Sequence, residues 1–157
     1  MDRRLYVLFR TLGHSPRAER AVRAFSKLGE HGLGWQALAL AGAALDERRR
    51  PLWLRAWRTI VAAFAANQLV KLFVTRPRPD EAGLPPLTGT ISNRSYPSAH
   101  AATSAAAARS LSAVLPAPPL YALATAMALS RLYLGVHWPS DTAAGLALGT
   151  AVAELAS

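Results

Sequence analysis

Three polar blocks interrupt an otherwise apolar chain, and they hold the residues able to do chemistry. The first runs from Lys71 to Pro79 and carries Lys71, Arg76 and Arg78. The second is Tyr96-Pro97-Ser98-Ala99-His100. The third runs from Ser130-Arg131 through His137 to Asp141. Three fixed cations, Lys71, Arg78 and Arg131, can cradle a phosphate dianion and stabilise the charge on its oxygens in a transition state. Two histidines, His100 and His137, allow one nucleophile and one acid–base group. Asp141 follows His137 by four residues and can orient that ring, as a triad carboxylate does. No metal and no cofactor is expected. A divalent ion needs several carboxylate or imidazole ligands, and three neighbouring cations would repel it.

The elements that must position these blocks are helical. Five apolar segments cover about 29–46, 52–74, 97–115, 120–134 and 140–156. They are separated by the charged turn Asp46 to Pro51, a Pro-rich loop at 75–96, the turn at Pro116 to Pro119, and a short loop carrying His137. A membrane-crossing helix needs about 20 residues at 1.5 Å each, and the segments are near that length. The third is nearly all Ala and Ser, a composition suited to close packing, which predicts a central position in the bundle. Trp53 and Trp57 stand near the start of the second, where interfacial aromatics collect. Counting crossings puts all three polar blocks on one side. Pro97 and Ser98 are suited to start and cap the third helix, whose N–H groups and dipole favour an anion.

The totals agree with a lipid setting. Of 157 residues, 52% are hydrophobic and only 17% charged, which is apolar for a soluble domain of this size. The net charge of +9 favours anionic partners, and the apolar segments select lipid and phosphate over nucleic acid. Cysteine is absent, which removes disulfides and zinc–thiolate or thiol chemistry. Abundant Arg and Ala, with Lys27 and Lys71 the only lysines, suggest a GC-rich bacterial genome. Residues 1–28 place Ala18, Val22 and Phe25 at helical spacing among Arg17, Arg20 and Arg23. They are expected to form an interfacial basic amphipathic helix, followed by a membrane-embedded domain over 29–157.

The blocks resemble the signature of the type 2 phosphatidic acid phosphatase (PAP2) family: K-x6-R-P, then P-S-G-H, then S-R-x5-H-x3-D. Order and spacing match over about residues 52–150. The resemblance implies an all-α integral membrane bundle that acts as a metal-independent lipid phosphatase. By resemblance, His137 is the nucleophile that forms a phosphohistidine and Asp141 orients it. His100 protonates the leaving oxygen and then activates water. Lys71, Arg78, Ser98, Ala99 and Arg131 line the phosphate site. Two departures stand out. Ala99 replaces the motif's glycine, which is harmless if the residue is ordinary helix and strained if φ is positive. Five crossings are expected where family members usually have six.

The resemblance implies a lipid phosphate substrate, and small GC-rich bacterial members suggest a polyprenyl-linked phosphate of cell-wall synthesis. Phosphatidic acid, phosphatidylglycerol phosphate and undecaprenyl pyrophosphate stay open, as do phosphotransfer and a non-hydrolytic lipid-binding role. Arg48, Arg49 and Arg50 argue for a cytoplasmic first turn in a bacterial plasma membrane, hence an outward catalytic face; the basic N-terminus argues the reverse. Outside the motif, Arg76 and Arg94 are expected as loop charges or substrate contacts. His14 and His31 are expected at the surface. Asn67 is expected to orient Lys71 or to bond between helices, and Arg109 to snorkel.

Overall fold

Prolines mark most of the helix starts, where a missing N–H costs nothing. In the computed structural model, which describes residues 1–157, Pro16, Pro51, Pro118 and Pro139 each stand in the first two positions of a helix. The chain forms seven α-helices and no strand: α1 (Asp2–Thr11), α2 (Pro16–Lys27), α3 (Leu33–Leu45), α4 (Arg50–Phe73), α5 (Ala99–Leu111), α6 (Ala117–Tyr133) and α7 (Pro139–Leu155). The fold is all-α, as expected, and α3 to α7 correspond to the five apolar segments, with α4, α6 and α7 starting slightly earlier.

No helix is long and apolar enough to cross a membrane. α3 and α5 have 13 residues each, roughly 20 Å against a hydrocarbon core of roughly 30 Å. They are shorter than their apolar segments because Glu30–Gly32 is a 3-10 turn and α5 ends at Leu111, before a turn. α4 has 24 residues but carries Arg55, Arg58 and Lys71.

α5 is the pillar of the bundle. Every residue from Ala101 to Ala108 is buried, with α4, α6 and α7 packed around it. Alanine and serine make this possible, since short side chains let neighbouring helices approach closely. α7 comes nearest, through Gly145 and Gly149. A Cβ at Gly149 would overlap the carbonyl oxygen of Ala102 and stand 2.8 Å from its carbon. A Cβ at Gly145 would stand 2.9 Å from that of Ala101. On the other side, Trp35 of α3 donates its indole N–H to Ser104 at 2.8 Å. A cluster of Trp35, Trp53, Ile60, Leu111 and Leu120 fills the end of the bundle away from the polar blocks.

Residues 1–28 form two helices rather than one. The chain reverses at Gly13, whose φ of 71° suits glycine, and Ser15 caps α2 by accepting from Ala18 N–H at 3.2 Å. α1 buries one polar residue with its core aromatic and leaves some leucines outside, while Arg3 and Arg4 are exposed and Val7 and Phe9 are partly buried. Tyr6 and Arg10 are buried, whereas Leu5, Leu8 and Leu12 are exposed. Arg10 donates to the carbonyls of Pro85 (2.6 Å) and Tyr133 (3.1 Å), gripping both loops at the polar end of the bundle. His14 is not a free surface residue: it stacks on Tyr133 at 4.0 Å and bonds the Phe9 carbonyl at 3.0 Å. Arg109 pairs with Glu154 at 2.6 Å instead of extending alone.

Candidate active site

All three polar blocks meet at one end of the bundle. Lys71 closes α4, Arg78 follows in the long loop, Ser98 and His100 begin α5, Arg131 ends α6, and Asp141 lies in the first turn of α7. Gly135, with φ of 73°, turns the chain between α6 and α7 so that His137 faces back into the bundle. A cavity of about 140 Å³ opens there. Lys71, Arg78, Ala99, His100, Arg131 and His137 line it, while Ser98 and Asp141 are fully buried and not part of its lining. Ala99 is the first residue of α5 and has no positive φ, so alanine replaces the signature glycine without strain.

The geometry around His137 is specific. Arg78 Nη1 lies 3.2 Å from His137 Nε2 and 2.6 Å from the Val136 carbonyl. A guanidinium only donates, so Nε2 is the unprotonated nitrogen and the proton sits on Nδ1. Nδ1 faces Asp141 Oδ2 at 3.6 Å, with no closer partner. Burial pushes the His137 ring down to about 4, the carboxylate of Asp141 opposing and the Arg78 and Arg131 cations adding to the fall. The ring is therefore neutral at neutral pH, with its Nε2 lone pair toward the cavity. The carboxylate of Asp141 is itself fixed: Oδ2 accepts from Trp138 N–H at 2.8 Å, closing the first turn of α7.

Around this pair the cations are held by neutral acceptors, two by carbonyls and Arg131 by a hydroxyl, which leaves their charge uncompensated by a direct ion pair. Lys71 donates to the Arg94 carbonyl at 2.9 Å, and Arg94 returns a bond to the Lys71 carbonyl. Arg78 Nε donates to the Ser92 carbonyl at 2.7 Å. Arg131 donates to Ser26 Oγ at 2.6 Å. His100 Nε2 lies 3.1 Å from the Ser26 carbonyl, an acceptor, so that nitrogen carries the proton and Nδ1 is left for the cavity. Ser98 does not cap α5 with its side chain; its Oγ, like Arg131 Nε, is buried without a partner. Buried polar atoms without partners are costly; of the two residues, Arg131 lines the cavity and Ser98 does not. Asn67 bonds the Pro97 carbonyl at 3.0 Å, tying α4 to the start of α5 rather than orienting Lys71.

Sequence reasoning missed several participants. Ser26 lies 105 residues from Arg131 and in no motif. Glu30, His31, Phe64 and Gln68 line the cavity from helices and turns that carry no recognisable signal. Arg76, expected as a loop charge or a phosphate contact, instead bonds Asp141 at 2.9 Å. His31 is exposed but lines the cavity mouth, with a φ of 50°.

A family model described as the PAP2 superfamily matches residues 52–157, more than half of the chain and all three blocks. The chain belongs to the PAP2 superfamily. Curated relatives agree. The decaprenylphosphoryl-5-phosphoribose phosphatase of Mycobacterium tuberculosis is 44% identical over 134 residues, covering 85% of this chain and 76% of that protein. Its namesake in Mycolicibacterium smegmatis is 43% identical over 136 residues, with 85% and 74% coverage. Among solved structures, a transmembrane PAP2 type phosphatidylglycerolphosphate phosphatase from Bacillus subtilis superposes with a TM-score of 0.76 at 25% identity. It covers 94% of this chain and 78% of its own. Aquifex aeolicus LpxE shares the fold, with a TM-score of 0.79 at 20% identity over 99% and 93% of the two chains. This PAP2 member is thus a phosphatase, a hydrolase of phosphate esters. The family match begins at residue 52, so α1, α2 and α3 lie outside it.

Proposed function

We propose that this phosphatase removes the phosphate from a polyprenyl-linked sugar phosphate, with decaprenylphosphoryl-5-phosphoribose the first candidate. The observation that carries the reading is the neutral His137, its Nε2 at the edge of a cavity ringed by Lys71, Arg78 and Arg131. In the proposed reaction, His137 Nε2 attacks phosphorus and the bond from phosphorus to the ribose oxygen breaks. Arg78 moves from Nε2 onto the phosphate as it enters. Lys71, Ser98 and Arg131 hold the remaining oxygens, with the backbone at Ala99 contributing from the helix start. His100 enters the reaction protonated on Nδ1 as well as Nε2, a form the incoming phosphate dianion favours, and passes the Nδ1 proton to the leaving oxygen. Water then attacks the phosphohistidine, giving its proton to His100 as the N–P bond breaks. Asp141 stabilises the His137 ring while it carries positive charge.

The sugar is supported by the polar residues that are not cations. Glu30 and Gln68 line the same cavity. A carboxylate beside a phosphate is unfavourable unless it serves another group, and ribose hydroxyls are donors that a diacylglycerol phosphate lacks. Two homologous enzymes named for the ribosyl substrate point the same way.

The enzyme works embedded in a membrane in this reading. Leu40, Leu69, Leu72, Phe73 and Leu123 are exposed on the helices, an apolar surface suited to lipid contact. Arg48, Arg49, Arg50, Arg55 and Arg58 gather at the end away from the cavity, which supports a cytoplasmic position for that end and an outward active site. α1 and α2 lie at the interface, with Leu5, Leu8 and Leu12 toward lipid.

The test is phosphate release by the purified protein, with EDTA present, across a panel of lipid phosphates that includes the polyprenyl-phosphoribose phosphate. His137→Ala should abolish release, and Glu30→Ala should cut the ribosyl substrate more than phosphatidic acid. Full activity in His137→Ala would overturn the nucleophile assignment, and equal losses on both substrates would overturn the sugar reading.

A further inference from the structure

Asp141 has a second partner that no motif anticipates. Arg76 Nη1 donates to Asp141 Oδ1 at 2.9 Å and to Ser140 Oγ at 2.6 Å. Its other terminal nitrogen, Nη2, donates to Asp2 Oδ2 at 2.8 Å. Asp2 also accepts from Ser140 N–H at 3.0 Å and from the Ser140 hydroxyl at 2.5 Å. The guanidinium lies over the Trp138 ring, 5.5 Å from its centre. Charges therefore alternate along a line: Asp2, Arg76, Asp141, and His137 whenever its ring is cationic. Asp2 comes from α1, outside the family segment.

We infer that Arg76 and Asp2 are positioning residues that set how much of the Asp141 charge is available to His137. This inference rests on the proposed role of the His137–Asp141 pair. Asp141 is fully buried, so its field reaches His137 with little screening by solvent. Arg76 draws that field away from the ring. Asp2 partly neutralises Arg76 and so returns it. The other groups facing His137 are Lys71 of α4, Arg78 of the loop, His100 of α5 and Arg131 of α6. None of them is an anion, and Glu30 across the cavity makes no ion pair within 4.0 Å. The acid–base behaviour of His137 thus hinges on Asp141 and on what competes for it. Asp2 is itself held below the ordinary carboxylate range: burial acts against this, and the bonds from Arg76 and Ser140 outweigh it.

The two residues should act in opposite directions, which a merely structural role would not produce. In Arg76→Gln, Asp141 is freed to favour the imidazolium, and the acid limb of kcat/KM should move up by about one pH unit. In Asp2→Asn, Arg76 holds Asp141 more strongly, and the limb should move down by a smaller amount. Arg76→Lys should keep the wild-type limb. The same titration is read without substrate by NMR of 15N-histidine-labelled full-length protein, through the His137 ring nitrogens. That arm separates failure of this inference from failure of the phosphatase reading. If Arg76→Gln does not fold, Asp2→Asn alone decides. Limbs and NMR titrations that stay in place, or that move the same way in both variants, would overturn the inference.

Discussion

Gly149→Ala asks whether the spacing of α5 and α7 sets the chemistry. The added methyl would overlap the Ala102 carbonyl oxygen and stand 2.8 Å from its carbon and 3.0 Å from its Cα. Carbon–carbon contacts are comfortable near 3.5–4.0 Å, so the helices must part by about 0.7 Å or more at this level. Backbone occupies all three contacts, so no side chain can swing aside. Asp141 lies two turns earlier on α7, and Ser98 N–H bonds its carbonyl at 3.0 Å. Separation would therefore strain the register between the start of α5, with Ser98 and His100, and the start of α7. Overpacking typically costs about 1–3 kcal/mol, and a displacement approaching 1 Å at a reacting centre can cost about 10²-fold in rate. We expect Gly149→Ala to lose at least tenfold in kcat and to melt at lower temperature. Gly89→Ala, where nothing stands within 4 Å and φ is not positive, should match wild type. Steady-state phosphate release and thermal unfolding of the two detergent-solubilised variants provide the comparison. Wild-type kcat and melting temperature in Gly149→Ala would show that the bundle adjusts without consequence, and the spacing argument would fail.

Two further expectations follow from the site. His137 is pushed down to about 4, chiefly by burial, so its neutral, nucleophilic form persists well below neutral pH. The acid limb of kcat/KM should fall below pH 5.5, whereas a limb near the ordinary imidazole value would contradict the burial argument. Ser26→Ala removes the hydroxyl that receives Arg131 at 2.6 Å. A hydrogen bond to a charged group is worth about 1.5–3 kcal/mol, so KM should rise about tenfold and Ser26→Thr should restore it; an unchanged KM in the alanine variant would rule out a positioning role for Ser26.

Lys71, Arg78, His100, Arg131 and His137, which line the cavity, were legible because their spacing is chemical. His137 and Asp141 stand four residues apart across the start of α7, the first in the loop and the second in the first turn, and Pro97 and Ser98 precede a helix. Helix lengths were harder to read. Hydropathy runs on through Glu30–Gly32 and past Leu111, where the backbone leaves the α-helix for tighter turns. The contacts of Arg76 and Ser26 depend on how α1 and α2 dock, a tertiary event with no local signal. Gly145 and Gly149, four residues apart, mark where α7 meets α5, a contact that was not anticipated from the sequence.

The polar anchors of α1 bear on how its sequence can drift. In a helix on a globular protein the apolar stripe is the intolerant one. Here Leu5, Leu8 and Leu12 face outward, where one apolar residue can replace another, while Asp2, Tyr6 and Arg10 are engaged with the rest of the protein. A saturation-mutagenesis map of this helix should show that contrast. Asp2, Tyr6 and Arg10 should be as restricted as a core, and the leucine positions should accept most apolar substitutes. Scoring α1 by conventional hydrophobic patterning would undervalue Asp2 and Arg10 and overvalue Leu5 and Leu8.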